Sequence, residues 1–328
     1  MVVLVTGASG FVGSALCRAL AQQGHHVRAF HRPTSNLLCL EGLLVEHAVG
    51  DILDPATLSP AVDGVELVYH TAAAMGPWKD PSANQRSHVV GTRNVLEACQ
   101  AAGVRRVVHT SSVAALGLPD RGPAGWLPID ETHAWNLPDG RWPYGQAKHL
   151  SELEVLRAVR EGLDAVIVNP SVVVGPGDLY RASSGVLPLL ARGAWIPAVG
   201  GGVNVVSIND VVAGHQAAAE RGRIGERYIL SGEDLSIVRL LAISCEVAGR
   251  KPPRLVLPAS LVRAAAGPVR LLEDRLRLPI GAELLVLAGR DFFYDRRKSR
   301  DELGLPQPVS YRHAAQQALA WYREHELL

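Results

Sequence analysis

Val2-Val3-Leu4-Val5-Thr6-Gly7-Ala8-Ser9-Gly10-Phe11-Val12-Gly13 opens the chain, and its reading decides the fold. Four apolar residues in a row that end in a glycine turn read as a buried strand. A helical pattern follows at once, over residues 12–23. Each glycine has its own steric use. Gly7 makes the tight turn, Gly10 lets backbone approach a pyrophosphate, and Gly13 lets the helix pack close to the strand. The helix N-terminus then offers free N–H groups and the positive end of its dipole to the phosphates. Three such glycines alone are a weak signal; between a first strand and a helix of an alternating chain they are a strong one.

Outward from that turn the alternation continues. Strands are expected at residues 2–6, 27–31, 44–48, 67–70, 106–110 and 165–169, with helices at 12–23, 89–102 and 144–161. This spacing predicts parallel pairing with right-handed crossovers, hence an α/β fold: a doubly wound parallel sheet of the Rossmann kind. Residues 118–143 break the rhythm. They are rich in Pro, Gly and Asp and carry Trp126, Trp135 and Trp142, which either line a pocket or anchor the loop. After Pro170 the pattern changes, and helices are expected at 237–248, 258–277 and 310–325. The expected division is a dinucleotide-binding domain over 1–173, to which 203–231 returns, and a smaller C-terminal substrate lobe over 174–328.

Bulk properties narrow the classes of function. The 328 residues are 48% hydrophobic and 20% charged, enough for a full core without staples. A formal net charge of +1 and the lack of basic runs with interleaved aromatics argue against a nucleic-acid partner. Cys17, Cys39, Cys99 and Cys245 stand in no metal-ligand or redox spacing, which predicts reduced thiols in a cytoplasmic protein and no metal. The first apolar run is too short for a secretory signal. No stretch approaches about twenty apolar residues, so no membrane span is expected. The nearest, residues 255–272, is interrupted by Arg263, Pro268 and Arg270. It reads as a lobe helix packed on the core, with an amphipathic surface helix as the alternative.

The second strand ends in Ala29-Phe30-His31-Arg32-Pro33-Thr34-Ser35. A carboxylate there binds the ribose hydroxyls of NAD; an Arg accepts the 2′-phosphate of NADP. No acid is present and Arg32 is, which favours NADP over NAD unless Arg32 is a solvated surface charge. Asp51, in Gly50-Asp51-Ile52, either accepts from the adenine amino group or caps a turn.

Pro143-Tyr144-Gly145-Gln146-Ala147-Lys148 places Tyr144 and Lys148 one helical turn apart on one face. The ammonium is expected to lower the phenol toward working pH, so that Tyr144 exchanges a proton with a substrate oxygen. His109-Thr110-Ser111-Ser112 closes the fifth strand, where parallel sheets place ligand contacts, and its hydroxyls are expected on that same oxygen.

With these motifs the sequence resembles the extended short-chain dehydrogenases/reductases, the NAD-dependent epimerase/dehydratase family, over nearly its whole length. The likeness is carried by residues 6–13, Gly50-Asp51, 70–73, 91–98, 110–112, Tyr144 with Lys148, and Asn169-Pro170-Ser171. It is closest to dihydroflavonol-reductase-like proteins and hopanoid-associated sugar epimerases, through residues 32–35, 112–117 and 225–230. The resemblance implies that Thr6, Gly7, Ser9, Gly10, Phe11, Val12 and Gly13 meet the cofactor. Arg32, Asp51 and Ile52 would hold its adenosine end, and Ala72, Ala73, Thr110, Pro170, Ser171 and Val173 would border the rest. Tyr144 would be the general acid/base, Lys148 would hold the nicotinamide ribose and tune Tyr144, and Ser112 would bind the reacting oxygen. Met75, Trp78 and His88 would join Ser112 and Tyr144 around the substrate. His88 stands where the family often has Asn, so it is either a substrate contact or an ordinary helix residue. His70 reads as structural.

The resemblance implies a homodimer through the helices at 89–102 and 144–161. It also implies two activities. One is an NADP-dependent reductase/dehydrogenase interconverting a ketone or aldehyde and an alcohol on an apolar or aromatic substrate. The other is an NAD-dependent nucleotide-sugar epimerase/dehydratase, which needs lobe cations such as Arg181, Arg192 or Arg254 for a diphosphate. The apolar lobe favours the reductase, and the presence of both Tyr144 and Lys148 argues against a non-enzymatic cofactor sensor.

Overall fold

The computed structural model describes residues 1–73, 85–181, 184–276 and 282–328. Met75 and Trp78, named above as substrate contacts, lie outside the described residues. The strands that position the site are β1 (Val2–Thr6), β2 (His26–His31), β3 (Glu46–Val49), β4 (Leu67–His70), β5 (Arg106–Thr110), β6 (Ala165–Pro170), β7 (Val172–Val174), β8 (Gly202–Ser207), β9 (Arg227–Leu230) and β10 (Glu233–Ser236). The longer helices are α1 (Phe11–Gln22), α2 (Pro55–Val62), α3 (Gly91–Ala101), α4 (Pro143–Arg160), α5 (Ile208–Arg221), α6 (Ile237–Val247), α7 (Ala259–Leu276) and α8 (Tyr311–Glu324).

Seven strands form one parallel sheet in the order β9-β6-β5-β4-β1-β2-β3. The order reverses between β1 and β4, which opens the ligand crevice of a doubly wound sheet above those two strand ends. Alternation along β1 explains the two cores. Val3 and Val5 face α1 and α5, meeting Leu16, Leu20, Val211 and Ala218. Leu4 faces the other side, where Leu58, Val95, Leu96 and Val155 of α2, α3 and α4 pack. Truncating a fully buried leucine such as Leu96 costs about 2–5 kcal/mol.

After β6 the chain leaves the sheet, and the strand expected to return does so as β9, beside β6. A second sheet joins β7, β8, β10 and the short strand Asp291–Phe292, with β8 antiparallel to β10. Tyr311, Ala314, Ala315 and Ala318 of α8 cover it together with Ile243 of α6. Helix α5 escaped the sequence reading because Val211, Val212 and Gly214 weaken its helical pattern. Its start was nonetheless signalled by Ser207, whose hydroxyl accepts from the Asn209 amide. The apolar run that read as a core-packed lobe helix differs more. Over residues 259–269 of α7 only Ala266 is buried, so the surface alternative is the one realised. All four cysteines are free and buried. Among the described residues no helix is long and apolar enough to cross a membrane.

Candidate active site

The β1–α1 turn has the shape its glycines require. Gly7 sits at φ +69°, and a Cβ there would lie 2.7 Å from the Ala72 backbone. A Cβ on Gly13 would lie 2.2 Å from the Gly7 carbonyl. Both positions therefore admit only glycine without backbone movement. Gly10 is different: a Cβ there would approach only the Gly7 oxygen, at 3.2 Å, and otherwise points into open space at the start of α1. That helix has no side-chain cap and no acid in its first turn, so its leading N–H groups are free for an anion. Ser9 and Val12 flank the opening, half-buried, while Phe11 packs into the core. Thr6 is turned inward. Its hydroxyl meets His70 Nδ1 at 2.7 Å and accepts from the Ala72 amide at 3.3 Å, while His70 Nε2 meets Thr92. His70 is thus a buried brace, as expected, and Thr6 shapes the Ala72–Ala73 wall rather than presenting its own side chain.

Beside this turn β2 ends at His31, with the Ala8 amide bonded to the Phe30 carbonyl. Arg32 follows, exposed, and among the described residues no hydrogen bond or ion pair holds its guanidinium. Asp51 Oδ1 accepts from the Leu53 amide at 2.9 Å, so the turn-capping use is realised. Ile52 packs against Gly91, where a Cβ would lie 2.5 Å from Ile52 Cδ1, and its carbonyl accepts from Asn94.

The strand-end hydroxyls divide. Thr110 Oγ1 pairs with His215 Nε2 at 2.8 Å, and Ser111 Oγ donates to Glu152 Oε1 at 2.5 Å. Both are therefore spent on the interior, contrary to the expectation that they share the substrate oxygen with Ser112. Only Ser112 faces the crevice. Its hydroxyl accepts from the Ala114 amide and favours the ionised form of the Tyr144 phenol. Pro170 and Ser171 end β6 beside β9, with the Ser171 hydroxyl buried and without a hydrogen bond among the described residues. Strand alternation turns the Val173 side chain into the core and leaves Val172 exposed, so Val173 would border a cofactor through its backbone.

Lys148 is buried and donates to the Thr110 carbonyl at 3.0 Å. Burial pushes its ammonium down to about 8, opposed by the Glu152 carboxylate. Tyr144 goes the other way. Burial raises its phenol above the usual value, and the Ser112 hydrogen bond only partly offsets this. The direction is opposite to the expected lowering by Lys148, and its cause is loss of solvation.

Sequence reasoning missed what underlies this pair. Glu152, one turn beyond Lys148, is fully buried. Besides Ser111 it accepts from Asn169 Nδ2 at 2.6 Å and pairs with Arg227 of β9 at 3.2 Å. Asn169 Nδ2 also reaches the Ser112 carbonyl, at 2.9 Å. The signal was available as Tyr144, Lys148 and Glu152 at successive four-residue steps.

His88 lies on a π-helical turn, Arg86–Val90, that precedes α3. Such turns re-aim side chains and recur at functional sites. The imidazole is buried, edge-on to the Tyr144 ring at 5.8 Å, and its Nε2 has no hydrogen-bond partner among the described residues. Burial and the neighbouring Lys148 hold it neutral, with its pKa pushed down to about 2. The tryptophans serve the loop. Trp126 donates to the Gly289 carbonyl, Trp135 stacks on His149, and Trp142 is buried against Phe292. A cleft of about 810 Å³ beside Trp135 contains neither Ser112 nor Tyr144. Charges in its lining are paired with one another, as in Lys298–Glu226 and Arg223–Glu302.

The sequence pattern of the NAD dependent epimerase/dehydratase family matches residues 3–231, from β1 through β9. The chain belongs to that family. Membership makes the chain an NAD(P)-dependent oxidoreductase. Across this family the chain is 36% identical to a putative dihydroflavonol 4-reductase of Synechocystis sp., over 98% of this chain and 94% of that one. It is 37% identical to sterol demethylase protein B of Methylococcus capsulatus, over the full length of both. The solved structure of gox2253 superposes with a TM-score of 0.87 at 39% identity, over 100% of this chain and 99% of that one.

Proposed function

We propose that this protein is an NADPH-dependent reductase that interconverts a ketone or aldehyde and its alcohol. The observation that carries the reading is Tyr144, one turn before the buried Lys148 on α4, with Ser112 at the C-terminal edge of the parallel sheet and Lys148 bonded to the Thr110 carbonyl of β5. The glycine turn fits the cofactor: the open cradle at Gly10 and the uncapped start of α1 suit a pyrophosphate. Arg32, exposed at the end of β2, suits a 2′-phosphate. When bound, the nicotinamide supplies or takes the hydride.

The residues of the chain handle the oxygen and its proton. Ser112, fixed by the Ala114 amide, orients the carbonyl oxygen toward Tyr144. A phenol held above its usual pKa is fully protonated at neutral pH, which suits a group that must give a proton during reduction. The buried Lys148 ammonium lies under the strand end, where it stabilises the phenolate left behind. His88 Nε2, edge-on beside Tyr144, addresses a polar atom of the substrate. The chain's likeness to a dihydroflavonol reductase and to a sterol demethylase protein favours apolar or aromatic substrates. A nucleotide-sugar epimerase would need lobe cations, but Arg181 is held by the Leu327 carbonyl, and Arg192 and Arg254 are exposed. Buried reduced thiols support a cytoplasmic setting. The family resemblance supports a homodimer through α3 and α4, which the Arg93–Glu154 and Arg157–Glu97 bridges tie into one face.

The test is a carbonyl panel with NADPH and NADH. Tyr144→Phe should lower kcat by about 10²–10⁴-fold while NADPH still binds. Oxidation of neither coenzyme by any carbonyl, or NAD released from the purified protein on denaturation, would overturn the reading.

A further inference from the structure

Two stretches of sequence contain no Asp or Glu at all, residues 179–209 and 247–272. The fold brings them together. The short strand Ala198–Val199 pairs with Val256–Leu257, the Ala198 amide bonds the Leu255 carbonyl at 3.1 Å, and Arg250 Nη2 bonds the Ala191 carbonyl at 2.9 Å. Helix α7 starts directly beyond this joint.

The outside of the joint is apolar and exposed. Trp195 is 66% exposed and Leu261 64%, with Leu189, Leu255 and Val256 also exposed beside them. Large side chains gathered in this way on a surface mark an interaction site. Around them stand Arg192, Arg250, Lys251, Arg254 and Arg263, all exposed. Neither stretch contributes a carboxylate, and Glu246, just before the second, is paired with Arg312.

We propose that this rim of the lobe docks on the surface of an anionic phospholipid bilayer. The chemistry selects that partner. Leucine, valine and an indole enter the headgroup boundary, while Arg and Lys lay their stems along it and hold lipid phosphates. A second copy of the chain is disfavoured, since a two-fold contact would set the cations against one another. A nucleic acid would answer the cations but leave Leu255, Val256 and Leu261 in water. The docking does not depend on the reductase reading, because it requires no turnover.

The experiment is flotation of the whole protein with vesicles of phosphatidylcholine, alone or with about a third phosphatidylglycerol. Binding should favour the anionic vesicles and weaken at least tenfold in about 0.5 M salt. Arg192→Glu with Lys251→Glu and Arg254→Glu should weaken it roughly a hundredfold or more. Trp195→Ser with Leu261→Ser should weaken it about tenfold at constant charge. Unchanged melting temperature and NADPH binding report that both variants are folded. The proposal is overturned if the parent does not float or if the variants float as well as it does. It also fails if a DNA duplex displaces the vesicles, or if sedimentation shows self-association lost with Trp195→Ser.

Discussion

Replacing Glu152 by Gln removes one charge and almost no volume, yet it should disturb stability and chemistry together. One carboxylate oxygen accepts from Ser111 and Asn169, and the other faces Arg227 at 3.2 Å. A glutamine amide can keep the first pair of contacts only by turning its N–H groups toward the guanidinium. Removing one partner of a buried ion pair costs about 3–5 kcal/mol. The Arg227 side chain is 21% exposed and can be partly hydrated, which puts the loss near the lower end, at about 3 kcal/mol. A chain of 328 residues has an unfolding entropy of about 0.7 kcal/mol/K, so the melting temperature should fall by about 4 °C. Asn169 also holds the Ser112 carbonyl, so the hydroxyl that meets Tyr144 shifts with it. A displacement of about 1 Å at a reacting group costs up to about a hundredfold, and kcat should fall tenfold to a hundredfold with NADPH binding intact. Glu152 also supports the Lys148 ammonium, so the alkaline limb of the pH–rate profile should move to lower pH. Thermal melting and that profile, measured on the parent and the variant, decide the matter. A variant that melts within about 1 °C of the parent and keeps both kcat and the limb refutes the reasoning.

The parent enzyme should lose activity as pH rises through about 8. Lys148 is charged below its depressed pKa and neutral above it, and a pH–rate profile in NADPH reads this directly. No limb should come from His70, His88 or His215 between about pH 5 and 7, since burial holds them neutral, at about 3, 2 and 4. His88→Leu removes a buried unsatisfied nitrogen worth about 1–3 kcal/mol, so the melting temperature should rise by at least about 1 °C while KM for the carbonyl worsens. A lower melting temperature with unchanged KM would show His88 to be an ordinary structural residue. Arg32→Asp should raise KM for NADPH at least tenfold and leave NADH no worse, which parallel titrations of the two coenzymes check.

Much of this molecule is legible before any coordinates. The glycine turn and the strand alternation specify the sheet, because both are local patterns with a steric cause. The third strand shows the limit: it runs two residues later than its apolar run suggests, leaving Leu44 in solvent and pairing Glu46 with Arg28 of β2. The spacing of Ser112, Tyr144 and Lys148, the residues proposed for the site, is legible in the sequence. Glu152 repeats that spacing, but a glutamate on a helix is usually solvated, and only the fold shows it buried and paired with a distant arginine. The direction of the Tyr144 shift was unreadable for the same reason: it depends on how much solvent the fold removes. Helix α7 read as core because its composition is apolar, and only the arrangement of the lobe shows its first turns largely exposed among the described residues.

Arg227 also bears on the order in which the protein can be made. It arrives on β9, the last strand to enter the main sheet, long after the ribosome has released Tyr144 and Lys148. Until then β6 is an open edge and the Glu152 carboxylate lacks its arginine, so a nascent or truncated chain carries the visible chemistry without that part of its underpinning. Completion of the site is therefore tied to completion of the sheet. A chain that stalls before residue 227 would expose a pairing-competent strand edge, the kind of surface by which chaperones and proteases sort unfinished products from finished ones.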